Sequence, residues 1–178
     1  DYYCEKSPYS YLEFTDNVYI YKSPAVRSVE LPELGCRVWG AAMCSPVSPS
    51  LLRGFSADDP ASVNIMVMHG DMTGGEYNPI EEHDIESSKL DYLALGHVHS
   101  FSGVKRAGGT YYSYSGCPEG RGFDETGGKG IIIGTVDKGK CSLDFVRLGG
   151  REYRIIEVDV TGRKDIETLV ADTVPKEF

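Results

Sequence analysis

Two short apolar runs, at residues 63–68 and 92–95, dominate the hydrophobic pattern in the middle of the chain. Each run is too short for a helix and stops at a Gly/His pair, which is typical of a buried strand in a parallel sheet. The polar stretch between the runs predicts a loop followed by one or two helical turns that end near Lys89. This order predicts a β-loop-α-β unit.

Capping signals and β-branched residues divide the first sixty residues into short elements. A serine followed by a proline is a typical helix start, and it occurs at Ser7 and at Ser48. These signals predict short helices over 8–14 and 49–55. β-Branched and aromatic residues interrupted by prolines predict short strands at a sheet edge. The predicted strands lie at 18–21, 25–31 and 36–43.

The pattern after residue 100 is rich in strands. It predicts strands at 110–115, 130–136, 141–148 and 152–160. Residues 137–140 predict a hairpin turn, because Gly139 can take a positive φ, and 165–171 predicts a modest helix. Together the elements predict an α/β fold, with a pair of mixed β-sheets, few flanking helices and a strand-rich C-terminal half.

Length and composition agree with a soluble globular protein. The chain has 178 residues, of which 40% are hydrophobic and 25% charged. No apolar run approaches the roughly 18 to 20 residues of a membrane helix, and the first residues lack the features of a signal peptide. Five cysteines without a CxxC pair favour reduced thiols. We therefore expect a cytoplasmic protein with no membrane association.

The net charge of −9 opposes general attraction to nucleic acid, but the charge is unevenly distributed. Residues 1–100 carry −9, residues 101–154 carry +3 and residues 155–178 carry −3. Solvated loops and hairpin surfaces explain the basic segment in the simplest way. The alternative is a face that binds an anionic ligand.

Three of the four histidines lie at the ends of the two buried strands, and they are the strongest candidates for chemistry. His69 follows the first strand, and His97 and His99 follow the second within Gly-His-Val-His. Carboxyl ends of neighbouring strands are where sites assemble in open α/β sheets. In an extended chain, His97 and His99 would point to the same side. We therefore expect these three imidazoles to form a metal site.

Two further residues near these histidines have open or simpler interpretations. Asp71 either partners a metal-bound histidine or caps a turn, and the sequence does not distinguish the two. His83 is flanked by acidic residues and is interpreted as a solvated loop residue.

Several motifs together resemble the calcineurin-like metallophosphoesterases, and among them most closely the SbcD-type DNA repair exonucleases. The similar segments are IMVMH at 65–69 with Gly70, DYLALGHVH at 91–99, YSGCP at 114–118, FDETG at 123–127 and KG at 129–130. Gly-His-x-His alone marks the superfamily, whereas the strand before it and the YSGxP…FDExGxKG segment are distinctive of the SbcD-type branch. The resemblance extends over residues 1–160.

The resemblance implies which residues bind metal. His69 and His97 would share one metal ion, His99 would serve a second, and Asp1 would be the remnant of the family's Gly-Asn-His-Asp block. The family site holds two divalent ions, with Mn²⁺ expected, and its earlier ligand blocks and acid histidine have no counterpart here. Two adjacent dications need anionic ligands between them. We therefore expect at most one weakly bound ion, and no catalytic residue is assigned.

The resemblance also implies a function and partners. It implies metal-dependent hydrolysis of DNA phosphodiesters within a larger protein that works with an SbcC-like coiled-coil ATPase, and weak or absent activity for this chain alone. Lys105, Arg106 and Arg121 would contact DNA phosphates. Two alternatives are a general metallophosphoesterase acting on nucleotides or phosphoproteins, and a non-catalytic binding or assembly module.

The same resemblance predicts how the chain is divided. Residues 1–160 would be the C-terminal portion of a phosphoesterase domain, and residues 161–178 would begin an accessory segment. Apolar faces that a complete domain would cover are expected to drive association into homodimers or to leave the chain marginally stable.

Overall fold

The computed structural model describes residues 2–173, which form eight strands and three α-helices. The helices are α1 (Pro8–Tyr11), α2 (Glu82–Ser87) and α3 (Ile166–Thr173), and a single 3₁₀ turn covers Pro32–Leu34. The strands are β1 (Arg27–Leu31), β2 (Cys36–Gly40), β3 (Val63–His69), β4 (Tyr92–Gly96), β5 (Lys105–Ala107), β6 (Thr110–Tyr114), β7 (Gly130–Asp137) and β8 (Lys140–Arg147).

Six strands form one mixed sheet in the order β1-β2-β3-β4-β6-β5. The four inner strands run parallel, whereas the edge strands β1 and β5 pair antiparallel with their neighbours. Strands β7 and β8 form a separate antiparallel hairpin. The predicted α/β class, with few helices and buried parallel strands at β3 and β4, is confirmed.

The hydrophobic core lies on one face of the six-stranded sheet. Alternate residues of β3, among them Met66 and Met68, are buried, and they pack with Leu52 and Ile85 from the segments that cover this face. On the opposite face of the same central strand, Val67 remains 51% exposed. The sheet is therefore well covered on one side and open at Val67 on the other.

The β7–β8 hairpin is joined to the sheet through the buried carboxylate of Asp91. This carboxylate accepts hydrogen bonds from the backbone N–H groups of Asn64 (2.8 Å) and Gly139 (2.8 Å) and from Lys138 Nζ (3.1 Å). Asn64 belongs to β3, whereas Lys138 and Gly139 form the turn of the hairpin, where Gly139 has a φ of 70°. One carboxylate thus connects the start of the parallel strands to the predicted turn.

Three of the predicted elements are wrong, and tertiary contacts account for the first two. Residues 49–55 form turns instead of a helix, with Leu52 buried in the core. Residues 18–21 lie outside the strands, because the hydroxyl of Tyr21 donates to Val38 O (2.7 Å) and its ring lies against Gly40. Residues 152–160 also form no strand in the described backbone, and most of their side chains are exposed.

The pattern also missed β5, which has only three residues and no apolar periodicity. No helix in residues 2–173 has the length and apolar character needed to cross a membrane.

Candidate metal centre

The carboxyl ends of β3 and β4 bring two histidines together. Parallel pairing sets His69 opposite Gly96, so that His97 follows directly at the same edge of the sheet. His69 Nε2 and His97 Nδ1 lie 3.2 Å apart, and the two rings meet nearly edge to face, with an interplanar angle of 76°. Two imidazole nitrogens bound to one ion at about 2.1 Å each would stand about 3.0 to 3.4 Å apart, depending on whether the ion is octahedral or tetrahedral. In the structure the two nitrogens share a proton in a hydrogen bond, and their spacing also suits two ligand positions of a single metal ion that takes the place of that proton.

The backbone at His97 is in an unusual conformation that produces this contact. His97 has a φ of 118°, which is rare for a residue with a side chain. Strand β4 ends at Gly96, so the prediction that residues 97–99 continue as extended chain is wrong. His97 turns toward His69, whereas His99 turns toward Glu125. Strained residues of this kind are concentrated at functional sites.

His69 is held in a form that suits metal binding. Burial is the main cause that lowers the pKa of His69 from 6.5 to about 4, and the neighbouring imidazoles of His97 and His99 contribute further. Its ring is therefore neutral near pH 7, as a metal ligand must be. The side-chain amide of Asn78, itself buried, donates to the backbone carbonyl of His69 (2.7 Å) and fixes the end of β3.

Asp71 caps a turn, which is one of the two roles that the sequence left open. Its carboxylate accepts hydrogen bonds from the backbone and hydroxyl of Thr73 and from the backbone of Gly75, and it thereby closes a turn. The Thr73 hydroxyl is the main reason that the pKa of Asp71 is lowered. Its second oxygen lies 4.0 Å from His97 Nε2, too far for a direct hydrogen bond. Asp71 therefore places a fixed negative charge near His97 without a hydrogen bond to it.

His99 has a different set of neighbours. Its Nδ1 lies 2.6 Å from an oxygen of the buried carboxylate of Glu125. The other oxygen of Glu125 accepts the backbone N–H of Arg121 (2.7 Å). This backbone contact, and then the hydrogen bond to His99, lower the pKa of Glu125.

Cys117 completes a small cluster with His99 and Glu125. Ligand atoms of these three residues lie within 4.8 Å of one another, and theirs is the one such group of three in residues 2–173. Sequence reasoning missed Glu125 and Cys117 as members of the site. Both residues lie in segments that carry the family resemblance, Cys117 in YSGCP and Glu125 in FDETG, and this could have indicated them.

The other residues that the sequence singled out are not all close to these histidines in the structure. Lys105 and Arg106 are exposed on the edge strand β5, where the guanidinium of Arg106 stacks over the Tyr111 ring, 5.0 Å from its centroid. Arg121 lies beside the His99–Glu125 contact, with its exposed guanidinium 3.8 Å from Glu125.

His83 is exposed as predicted, although it lies on α2 and not in a loop. Asp1 lies outside the described residues.

Comparison with known proteins shows a similarity to a metallophosphoesterase. No family model matches the chain. The chain is 30% identical, over an alignment of 176 residues that covers 93% of the chain, to "Uncharacterized metallophosphoesterase YhaO" of Bacillus subtilis (strain 168). The matched region is 43% of that protein, so the chain spans less than half the length of this curated relative. Nearly the whole chain is therefore similar to part of a protein named as a metallophosphoesterase.

Proposed function

We propose that this chain contributes part of a metal-dependent phosphoesterase centre that hydrolyses DNA phosphodiesters. The observation that carries the proposal is the 3.2 Å approach of His69 Nε2 and His97 Nδ1 at the carboxyl edge of a parallel sheet. The similarity to a metallophosphoesterase supports the same chemistry. We further propose that the centre belongs to the calcineurin-like family and its SbcD-type branch, with Mn²⁺ as the metal.

The residues of this chain would bind and orient a divalent ion. His69 and His97 supply two neutral nitrogens, and Asp71 lies behind His97 with its charge fixed by Thr73 and Gly75. A bound divalent ion polarises a phosphoester oxygen and lowers the pKa of a bound water. Because the oxygens of Asp71 already accept three hydrogen bonds, its carboxylate is poorly available to bridge two ions. We therefore propose a single, weakly bound ion per chain.

The proposed substrate rests on exposed, positively charged side chains. Arg121 is exposed next to Glu125 and His99, and Lys105 and Arg106 are exposed on β5. Such side chains contact phosphates without reading base sequence.

A coiled-coil ATPase of the SbcC type is the proposed partner. Residues 1–160 are proposed as phosphoesterase domain and residues 161–178 as the start of an accessory segment.

A substrate comparison tests the DNA proposal. The Arg121→Ala variant is expected to weaken binding to duplex DNA and to reduce the slope of log affinity against log salt by about one, since one phosphate contact is lost. Glu119→Ala in the same loop is the control, because it removes no positive charge. An unchanged salt slope would contradict the DNA role of Arg121. Preferential hydrolysis of nucleotides or phosphopeptides would favour a general metallophosphoesterase.

A second candidate function, as a non-catalytic binding or assembly module, is favoured by one observation. Val67 is half exposed in the middle of a central strand, where an apolar residue is normally covered. Metal uptake separates the two candidates, because a module that serves only in assembly has no need of the paired nitrogens of His69 and His97.

A further inference from the structure

Three residues of the segment that follows β6 contact a single residue, His99. Lys129, which is buried, donates from Nζ to the backbone carbonyl of His99 at 2.8 Å, and the backbone N–H of Cys117 donates to the same carbonyl at 3.4 Å. Glu125 meets the ring of His99 at Nδ1, at 2.6 Å. The motif YSGCP…FDETGGKG thus holds both the backbone and the side chain of one histidine.

We propose that Glu125 is a positioning residue that holds His99 as the Nδ1–H tautomer and so keeps the lone pair on Nε2. A carboxylate only accepts hydrogen bonds, so the ring nitrogen facing it must carry the proton. A neutral imidazole has one N–H, and Nε2 is then the only nitrogen able to bind a cation. The use of that lone pair for a divalent ion rests on the proposed function, whereas the tautomer does not.

The carboxylate of Glu125 is well placed to impose this state because it is itself fixed. It is 8% exposed, and its second oxygen is held by the backbone N–H of Arg121 at 2.7 Å. His99, by contrast, has a side chain that is 53% exposed. The buried partner therefore sets the orientation of the exposed one. Charge-assisted hydrogen bonds of this length are among the stronger ones in proteins.

The same contacts argue against direct metal binding by Glu125. Both of its oxygens already accept hydrogen bonds, at 2.6 Å and 2.7 Å, and the sulfur of Cys117 is 3.9 Å from the nearer oxygen. The guanidinium of Arg121 lies 3.8 Å away and disfavours a second cation there. We therefore interpret the cluster as support for His99 and not as a separate metal cage.

Nitrogen NMR of the histidine side chains in the whole chain tests this inference. In the metal-free protein, His99 is expected as the Nδ1–H tautomer. Glu125→Gln is expected to change the ratio of the two tautomers by about tenfold, because the neutral amide can donate as well as accept. Asp124→Asn is the matched control, since it removes the neighbouring charge of the same loop, and it should leave the tautomer unchanged.

Two results would overturn the inference. An Nε2–H tautomer of His99 in the unaltered protein would do so even if Glu125→Gln failed to fold, and so would an unchanged tautomer in a folded Glu125→Gln variant. Zn²⁺ titration in the same spectra adds a third result. Loss of the Nδ1 proton of His99 on addition of Zn²⁺ would show that metal displaces the carboxylate and would also overturn the inference. Absence of any shift at His69 Nε2 and His97 Nδ1 would instead contradict the proposed function alone.

Discussion

Which ring nitrogen each histidine presents decides what the site can bind. His97 meets His69 through Nδ1, whereas His99 uses Nδ1 for a carboxylate and keeps Nε2 for another partner. Two histidines only one residue apart therefore have different chemistry, and the positive φ of His97 is the cause. Substitution of His97 should therefore disturb the contact with His69, whereas substitution of His99 should disturb the contact with Glu125.

Cys141 is expected to be a slow nucleophile at moderate pH. Burial, followed by the charges of Asp91 and Asp137, raises the pKa of its thiol from 9.0 to about 11. Thiolate forms above the pKa, so at pH 8 the reactive fraction is about a hundredfold below that of an ordinary thiol. Alkylation by iodoacetamide, read by mass spectrometry, should label the exposed Cys44 first. The rate at Cys141 should rise about tenfold per pH unit up to pH 10, and a plateau below pH 9 would contradict this prediction.

Asp91→Ala is expected to lower the free energy of unfolding by about 2 to 4 kcal/mol. The substitution removes the acceptor of the buried backbone N–H of Asn64 and of the backbone N–H of Gly139, and an unsatisfied buried donor is costly. It also removes the ion pair with Lys138, although Lys138 Nζ keeps its hydrogen bond to Ser62 O (2.8 Å). Urea titration followed by circular dichroism measures the change. Asp144→Ala, at an exposed position of β8, should change stability by less than about 0.5 kcal/mol. Equal effects of both substitutions would refute the role of Asp91.

The sequence predicted the site residues that follow strands better than those that lie in loops. His69 and His97 were expected to meet because parallel strands end at a common edge. The turn at His97 and the contact of Glu125 with His99 could not be predicted, because both depend on how a distant loop folds over the edge. Local sequence carries no signal for a carboxylate that approaches from 26 positions away.

At Gly134, the β7–β8 hairpin leaves no room for a side chain. A Cβ added to Gly134 would meet the backbone carbonyl oxygen of Ser142, on the paired strand, at 1.9 Å. Gly134→Ala is therefore expected to lower the free energy of unfolding by about 2 kcal/mol through strain in the strand pair. Thermal or urea unfolding measures the loss. Gly150→Ala, where the added carbon has nothing within 4 Å, is the control, and a similar loss there would contradict the explanation.

Element prediction succeeded where local signals and tertiary packing agreed. Strands β3 and β4 have continuous apolar runs, and the turn at 137–140 contains a glycine with positive φ. The predicted helix at 49–55 failed because Leu52 is drawn into the core, so that the chain makes turns around it. A serine-proline cap signal cannot reveal such a tertiary constraint.

At the scale of the whole molecule, the uncovered side of the sheet predicts self-association. Val67 lies in a central strand yet is 51% exposed, and exposed apolar sheet faces favour contact between copies. Sedimentation analysis is expected to show concentration-dependent dimers, reduced by Val67→Lys. Leu34→Lys, at an exposed apolar residue on the 3₁₀ turn, is the control. A monomer at every concentration would contradict the expectation.

The central claim is that the parallel sheet builds a divalent-metal site from His69 and His97, and metal titration tests it most directly. Mn²⁺ binding to the whole chain, followed by electron paramagnetic resonance, is expected to show one ion per chain. His97→Ala should abolish this binding, and His83→Ala, which removes an exposed histidine on α2, should leave it intact. Failure to bind Mn²⁺, or binding that survives His97→Ala unchanged, would contradict the claim.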